Sequence, residues 1–243
     1  KNNSFTFDIQ RLEQEISSKS KLLLFCNPHN PTGRVYTRDE ITNIVQICLE
    51  HNIIICSDEI HCDLILDDKK HIPTATLNNE ISNNTITLME PSKTFNIPGL
   101  NCAFAIIPNL DLRSKFSEAC NGIIPHPNAL GYVACLEAYK NCEEWREALI
   151  GYLRTNRDIV YEYINDKIPD LSMDSVEATY LAWINAEKLK VPHIASFFEN
   201  AGVGLSDGIY FQGKGYVRLN FGCPKATLLK ALDRMKYAVN NLP

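Results

Sequence analysis

With 243 residues, 45% of them hydrophobic and 22% charged, the chain has an ordinary soluble globular composition, and it is long enough for one large domain or two smaller ones. Its formal net charge of −5 comes with lysines and arginines scattered singly, which argues against nucleic acid as the main partner. No apolar run approaches the ~20 residues of a membrane span, and the polar start KNNSFTFD lacks the basic-then-apolar order of a secretory signal.

In chain order, residues 8–18 carry helical spacing (Ile9, Leu12, Ile16), and residues 21–26, KLLLFC, predict a buried strand. The turn NPHNPTGR follows, dense in Asn, Pro and Gly. Thr37 then opens a helix through a capping box in which Glu40 reaches back to the Thr37 backbone, and that helix runs to about His51. A second apolar strand, NIIICS, ends at Asp58, and residues 85–89 (TITLM) and 102–107 (CAFAII) predict two more buried strands. Strands without polar alternation, separated by helices, predict an α/β fold whose mostly parallel sheet is covered on both faces. Asn30, Asp58 and Lys93 each follow such a strand, and ligands of open α/β sheets gather at strand carboxyl ends.

From 128 to 165 the pattern is helical and long enough to bridge two parts of the molecule. Beyond Pro169, residues 179–186 and 216–221 predict strands, and residues 192–202 predict a helix ending on Gly202. Pro224 opens a last helix. The expected organisation is a large domain over 1–127, bridging helices over 128–165 and a smaller α+β domain over 166–243. Nine cysteines, an odd number with no C-x-x-C pair, suit reduced buried thiols in the cytosol better than disulfides or zinc. The chain lacks an initiator Met, and it is expected to be part of a longer protein.

Four motifs in order span nearly the whole chain: NPHNPTGR (27–34), SDEIHCDL (57–64), SKTFNIPGL (92–100) and YVRLNFGCP (216–224). Together they resemble the fold-type I pyridoxal-phosphate enzymes of the class I/II aminotransferase family, nearest the cystathionine β-lyase (C–S lyase) branch. Members are longer at the N-terminus, where they supply a phosphate loop and an aromatic ring stacked on the cofactor. The resemblance implies pyridoxal 5'-phosphate as cofactor, an amino-acid substrate and a homodimer. It makes Lys93 the Schiff-base lysine, and a lysine in that role must shed its proton to act as nucleophile and base. It sets Asp58 on the pyridine nitrogen, whose proton a carboxylate retains. It sets Asn30 on the phenolic oxygen, with Asn30–Pro31 a candidate cis peptide, and Ser92 on the phosphate. His61 stands where many aminotransferases carry Tyr, which points to the lyase branch. Arg218 matches the arginine that grips the substrate α-carboxylate, a task suited to a planar guanidinium. Tyr180 and the loop 202–208 are expected near the substrate.

The residues leave alternatives open. Lys93 alone reads as a loop lysine, Asn30 as a plain turn, His61 as a structural histidine and Arg218 as a sheet-surface partner. Asp58, Glu59, His61 and Asp63 do not repeat a helical metal-binding face, so no metal is expected. The expected activity is a C–S β-lyase, with an aminotransferase as the alternative because both share their early steps. A non-catalytic partner-binding domain is a third reading, against which the trio Lys93, Asp58 and Arg218 argues. Neither G-x-G-x-x-G nor a Walker loop is present.

Overall fold

A computed structural model describes residues 5–242; the first four residues of the polar start lie outside the described range. Helix α1 (Ile9–Glu15) is capped by Asp8, whose side chain accepts from Arg11 N at 2.9 Å. It stops short of residue 18. Ile16 is extended, and the Ser17 and Ser20 hydroxyls take the backbone N–H groups of Lys19 and Ser17, offering the chain a non-helical path. Strand β1 (Leu22–Cys26) leads through the NPHNPTGR turn to α2 (Arg38–Glu50). The capping box forms as expected: Glu40 N donates to Thr37 Oγ1 and Thr37 N to Glu40 Oε2. Then come β2 (Ile54–Asp58), α3 (Asn79–Asn83), β3 (Thr85–Met89), the single-turn α4 (Ser92–Phe95), β4 (Phe104–Ile106) and α5 (Leu110–Cys120).

These strands form one sheet in the order β1-β2-β3-β4, parallel across the first three and antiparallel at β4. One face packs against α2 through Phe25, Ile41, Ile44, Val45 and Ile55. The other packs against α5 through Cys56, Ile86, Ile107, Leu112 and Phe116. The expectation that all four strands are buried holds only at the centre. Leu22 and Leu24 align with Ile54 and Cys56 on the α5 face, yet Leu24 is 75% exposed. Phe104 and Ile106, at the other edge, are also exposed. An apolar run marks a strand that favours burial, but whether a helix reaches each face depends on where that helix lies.

Helices α6 (Ala129–Asn141) and α7 (Glu143–Lys167) divide at Cys142. The second sheet contains β5 (Ser172–Met173), β6 (Leu181–Asn185), β7 (Ser206–Asp207) and β8 (Tyr216–Asn220). Its order is β5-β6-β8-β7, antiparallel throughout. Helix α8 (Ile194–Asn200) is followed by Gly202 at φ +79°, and α9 (Lys225–Asn240) ends the described fold. Leu153, Val160 and Ile164 of α7, Phe198 of α8 and Leu228, Leu232 and Met235 of α9 bury themselves against this sheet.

Residues 176–179 join the two halves. Glu177 N and Ala178 N both donate to Gly33 O at 2.9 Å, Leu66 N donates to Glu177 O, and Thr179 N donates to Leu64 O. The buried Glu177 carboxylate accepts from Val35 N at 2.8 Å and pairs with Lys69 at 2.6 Å. From α7, Arg146 donates to Asp63 O, and Arg154 and Arg157 donate to Leu66 O. The segment after β2 is thus clamped between the bridging helix and the second sheet.

Candidate active site

Parallel strands β1, β2 and β3 end side by side, so the residues that follow them emerge at one edge of the sheet. After β1, both Asn27–Pro28 and Asn30–Pro31 are cis; the second was expected, the first was not. Gly33 takes φ +67°, and a Cβ there would stand 2.6 Å from Val176 Cγ1 and 3.0 Å from Ala178 O. Only glycine lets this turn lie flat on the segment joining the halves.

Asp58 terminates β2. Its carbonyl accepts from Asn27 N, and its Oδ1 accepts from Ile60 N at 3.3 Å. Burial is the main force raising its pKa above the usual carboxylate value; Lys93 opposes that and Glu90 and Glu59 add to it. Three residues on, His61 is buried, and its pKa is lowered to about 4 by desolvation first, then by the charges of Lys93 and Arg218. It is therefore neutral at pH 7, and its Nδ1 has no hydrogen-bond partner among the described residues.

Lys93 lies in α4, directly after buried Ser92 and shortly beyond the end of β3. Its Nζ pairs with Glu90 Oε1 at 2.6 Å, with the lysine side chain 34% exposed. The apolar strand before Lys93 and the Ile97-Pro98-Gly99-Leu100 turn after it predict partial desolvation of this amine. The structure supplies a carboxylate as well, and Glu90, three residues earlier in EPSK, was the visible signal that this prediction missed.

From the second sheet, β8 carries Arg218 to the same place. Its Nη1 donates to Asn30 Oδ1 at 2.8 Å and its Nη2 to Ser206 Oγ at 3.2 Å. The guanidinium lies 4.5 Å over the Phe211 ring. Burial holds its pKa below the ordinary value. Tyr180 meets the His61 ring edge-on at 5.8 Å, and burial raises its phenol pKa. It follows Thr179, a fully buried β-branched residue at φ +73°. Such strain recurs where the surroundings over-determine a functional position. Ser206 lies in the loop already expected near the substrate; nothing in the spacing pointed to Phe211 or Thr179.

The structure therefore brings Asn30, Asp58, His61, Ser92, Lys93 and Arg218 to one junction. Its inventory is a lysine amine, a half-buried carboxylate, a neutral imidazole with an unpartnered nitrogen, a buried hydroxyl and a guanidinium. That donor set fits pyridoxal 5'-phosphate, which presents an aldehyde, a ring nitrogen, a phenolic oxygen and a phosphate.

Comparison with known proteins adds four findings. The family model described as aminotransferase class I and II matches residues 1–235. The cystathionine beta-lyase PatB of Bacillus subtilis is 36% identical over 99% of the chain, and the chain spans 64% of that protein's length. Among solved structures, OvoB superposes with a TM-score of 0.96 at 42% identity, covering 100% of this chain and 64% of that one. Cystalysin from Treponema denticola, which contains a pyridoxal 5'-phosphate cofactor, superposes at 0.94 with 35% identity and the same coverage.

Proposed function

Because the chain belongs to the class I and II aminotransferase family, we propose that it serves a pyridoxal-phosphate-dependent C–S β-lyase. The substrate is L-cystathionine or a related cysteine conjugate, cleaved to a thiol, pyruvate and ammonia. The observation that carries this reading is the junction itself. There Arg218 of the second sheet is tied to Asn30 of the turn after β1, His61 feels the charges of both Arg218 and Lys93, and Asp58 feels that of Lys93.

Bound there, the cofactor supplies an electron sink for the substrate α-carbon. Lys93 provides the amine that holds the cofactor aldehyde. Once displaced by the substrate amine, its Nζ takes the α-proton. Glu90 keeps that ammonium in place while it is charged. Asp58 would accept from the ring nitrogen, Asn30 and neutral His61 would serve the phenolic oxygen, and Ser92 would donate to the phosphate. Arg218 orients the substrate through its α-carboxylate, a bidentate contact for which the guanidinium must trade its bonds to Asn30 or Ser206. With the α-proton on Lys93, the electron pair left on Cα would form the Cα–Cβ double bond as the Cβ–S bond breaks. The sulfur would leave as thiolate with the Cβ–S pair, and water would hydrolyse the resulting enamine to pyruvate and ammonia. Histidine at position 61, in place of the tyrosine of many aminotransferases, favours this outcome over return of the proton to the cofactor. A homodimer completes the proposal.

The test is an absorption spectrum of the chain with added pyridoxal 5'-phosphate, beside Lys93→Ala. A visible band in the wild type that is lost in the variant is expected. A band of equal strength in both would refute the assignment of Lys93, and no band in either would refute the cofactor reading. Pyruvate release from cystathionine then distinguishes the lyase from a transaminase, which would need an oxo-acid acceptor.

A further inference from the structure

Glu59 follows Asp58 directly, is 1% exposed, and has no part in the chemistry above. A buried carboxylate is costly unless its lone pairs are filled. Here three donors fill them. Ser57 Oγ donates to Oε1 at 2.8 Å, Thr74 N to Oε1 at 2.9 Å, and His71 Nε2 to Oε2 at 2.7 Å. Ser57 has one hydroxyl proton and spends it on Glu59, so Thr74 Oγ1 donates to Ser57 Oγ across 2.9 Å. His71 and Thr74 belong to the loop between β2 and α3, so a single carboxylate ties that loop to the end of the strand.

The geometry bears on Asp58. Side chains alternate along an extended strand, and Ser57 and Glu59 close a ring on the face opposite Asp58. The backbone around Asp58 is fixed as well: Asn27 N donates to Asp58 O at 3.0 Å, and Glu59 N to Leu88 O at 3.1 Å. With both flanking residues locked, the Asp58 Cα–Cβ bond keeps one direction, and its Oδ1 accepts from Ile60 N at 3.3 Å.

We propose that Glu59 and His71 are a positioning pair that fixes the Asp58 carboxylate so the site selects a protonated heteroaromatic nitrogen. This rests on the functional reading above, in which Asp58 serves the cofactor ring nitrogen. A loosely held carboxylate would contact the ring intermittently and lose the discrimination that a pre-aimed acceptor provides.

The experiment titrates the chain with pyridoxal 5'-phosphate and with its deaza analogue, in which a C–H replaces the ring nitrogen. The readout is the ratio of the two dissociation constants. A generally weakened fold lowers both affinities alike and leaves the ratio unchanged. Glu59→Ala removes the acceptor of three buried donors, and it is expected to cut the preference for the natural cofactor by roughly tenfold. Glu59→Gln retains an acceptor for Ser57 and Thr74 and should restore most of the preference. His71→Ala removes one donor and should give an intermediate ratio; it also carries the test if Glu59→Ala does not fold. A wild-type ratio retained in either alanine variant overturns the proposal. A wild type that binds neither compound overturns the cofactor reading, and one that binds both equally overturns the assignment of Asp58, each a different and recognisable failure.

Discussion

Gly33→Ala is a single-methyl change that reports on the contact between the two halves. The first cost is conformational, because φ is +67° at this position and the left-handed region costs an L-residue about 1–2 kcal/mol. The second is steric. The new Cβ would lie 2.6 Å from Val176 Cγ1 and 3.0 Å from Ala178 O, well inside the ~3.5–4.0 Å optimum for carbon contacts. Overpacking of this kind costs about 1–3 kcal/mol. Reduced freedom of the unfolded chain returns about 0.4–1 kcal/mol, leaving a net loss of about 1–5 kcal/mol. The backbone oxygen cannot move alone, so relief must come from parting the turn and residues 176–178. That stretches both bonds to Gly33 O and withdraws Asn30 from Arg218. Urea unfolding measures the loss, and cofactor titration of the folded fraction measures the effect on the site. An unfolding midpoint within about 0.5 kcal/mol of wild type, a size usual for inert surface changes, would refute the reasoning, as would unaltered cofactor binding in a destabilised variant.

Other outcomes follow from single residues. His61 has a folded pKa of about 4 against an ordinary 6.5, so the unfolded chain takes up the proton first. Stability should therefore fall as pH drops from 6.5 towards 4, by up to about 3 kcal/mol; His61→Asn should flatten that part of the pH profile, and a superimposable profile would contradict the burial of a neutral imidazole. Thr37→Ala removes the acceptor of Glu40 N and should cost about 1 kcal/mol in chemical denaturation. Glu40→Ala should cost more, because Glu40 also holds Arg34 at 2.6 Å. At Thr179, Gly relieves the positive φ but gives up the bond from Leu181 N, two effects of about 1 kcal/mol each that nearly cancel. Thr179→Val keeps the strain and loses the bond, so thermal melts should rank it below Thr179→Gly; the reverse order would remove the case for strain at this position.

Most of the strand and helix pattern was readable along the chain because its causes are local. The apolar runs at 85–89 and 216–221 fall on β3 and β8, and the Thr37–Glu40 capping box begins α2 where its spacing says it should. Boundaries slipped where a local competitor acted, as with the serine hydroxyls beyond α1. Short elements were missed where five residues or fewer carry too little period to detect, as at α3, α4, β5 and β7.

The sequence by itself determined the residue types of the site and their place after successive strands. Tertiary structure decided what they touch. Arg218 and Asn30 are 188 positions apart, and Glu177 holds Val35 across 142. Exposure of Leu24 and Phe104, the antiparallel direction of β4, and the enclosure of Glu59 by Ser57, His71 and Thr74 belong to the same class. Periodicity and capping act within one or two turns of chain, so they can be read from neighbours. Which faces meet is settled only when whole elements pack, and a side chain's partner, burial and charge state are consequences of that packing.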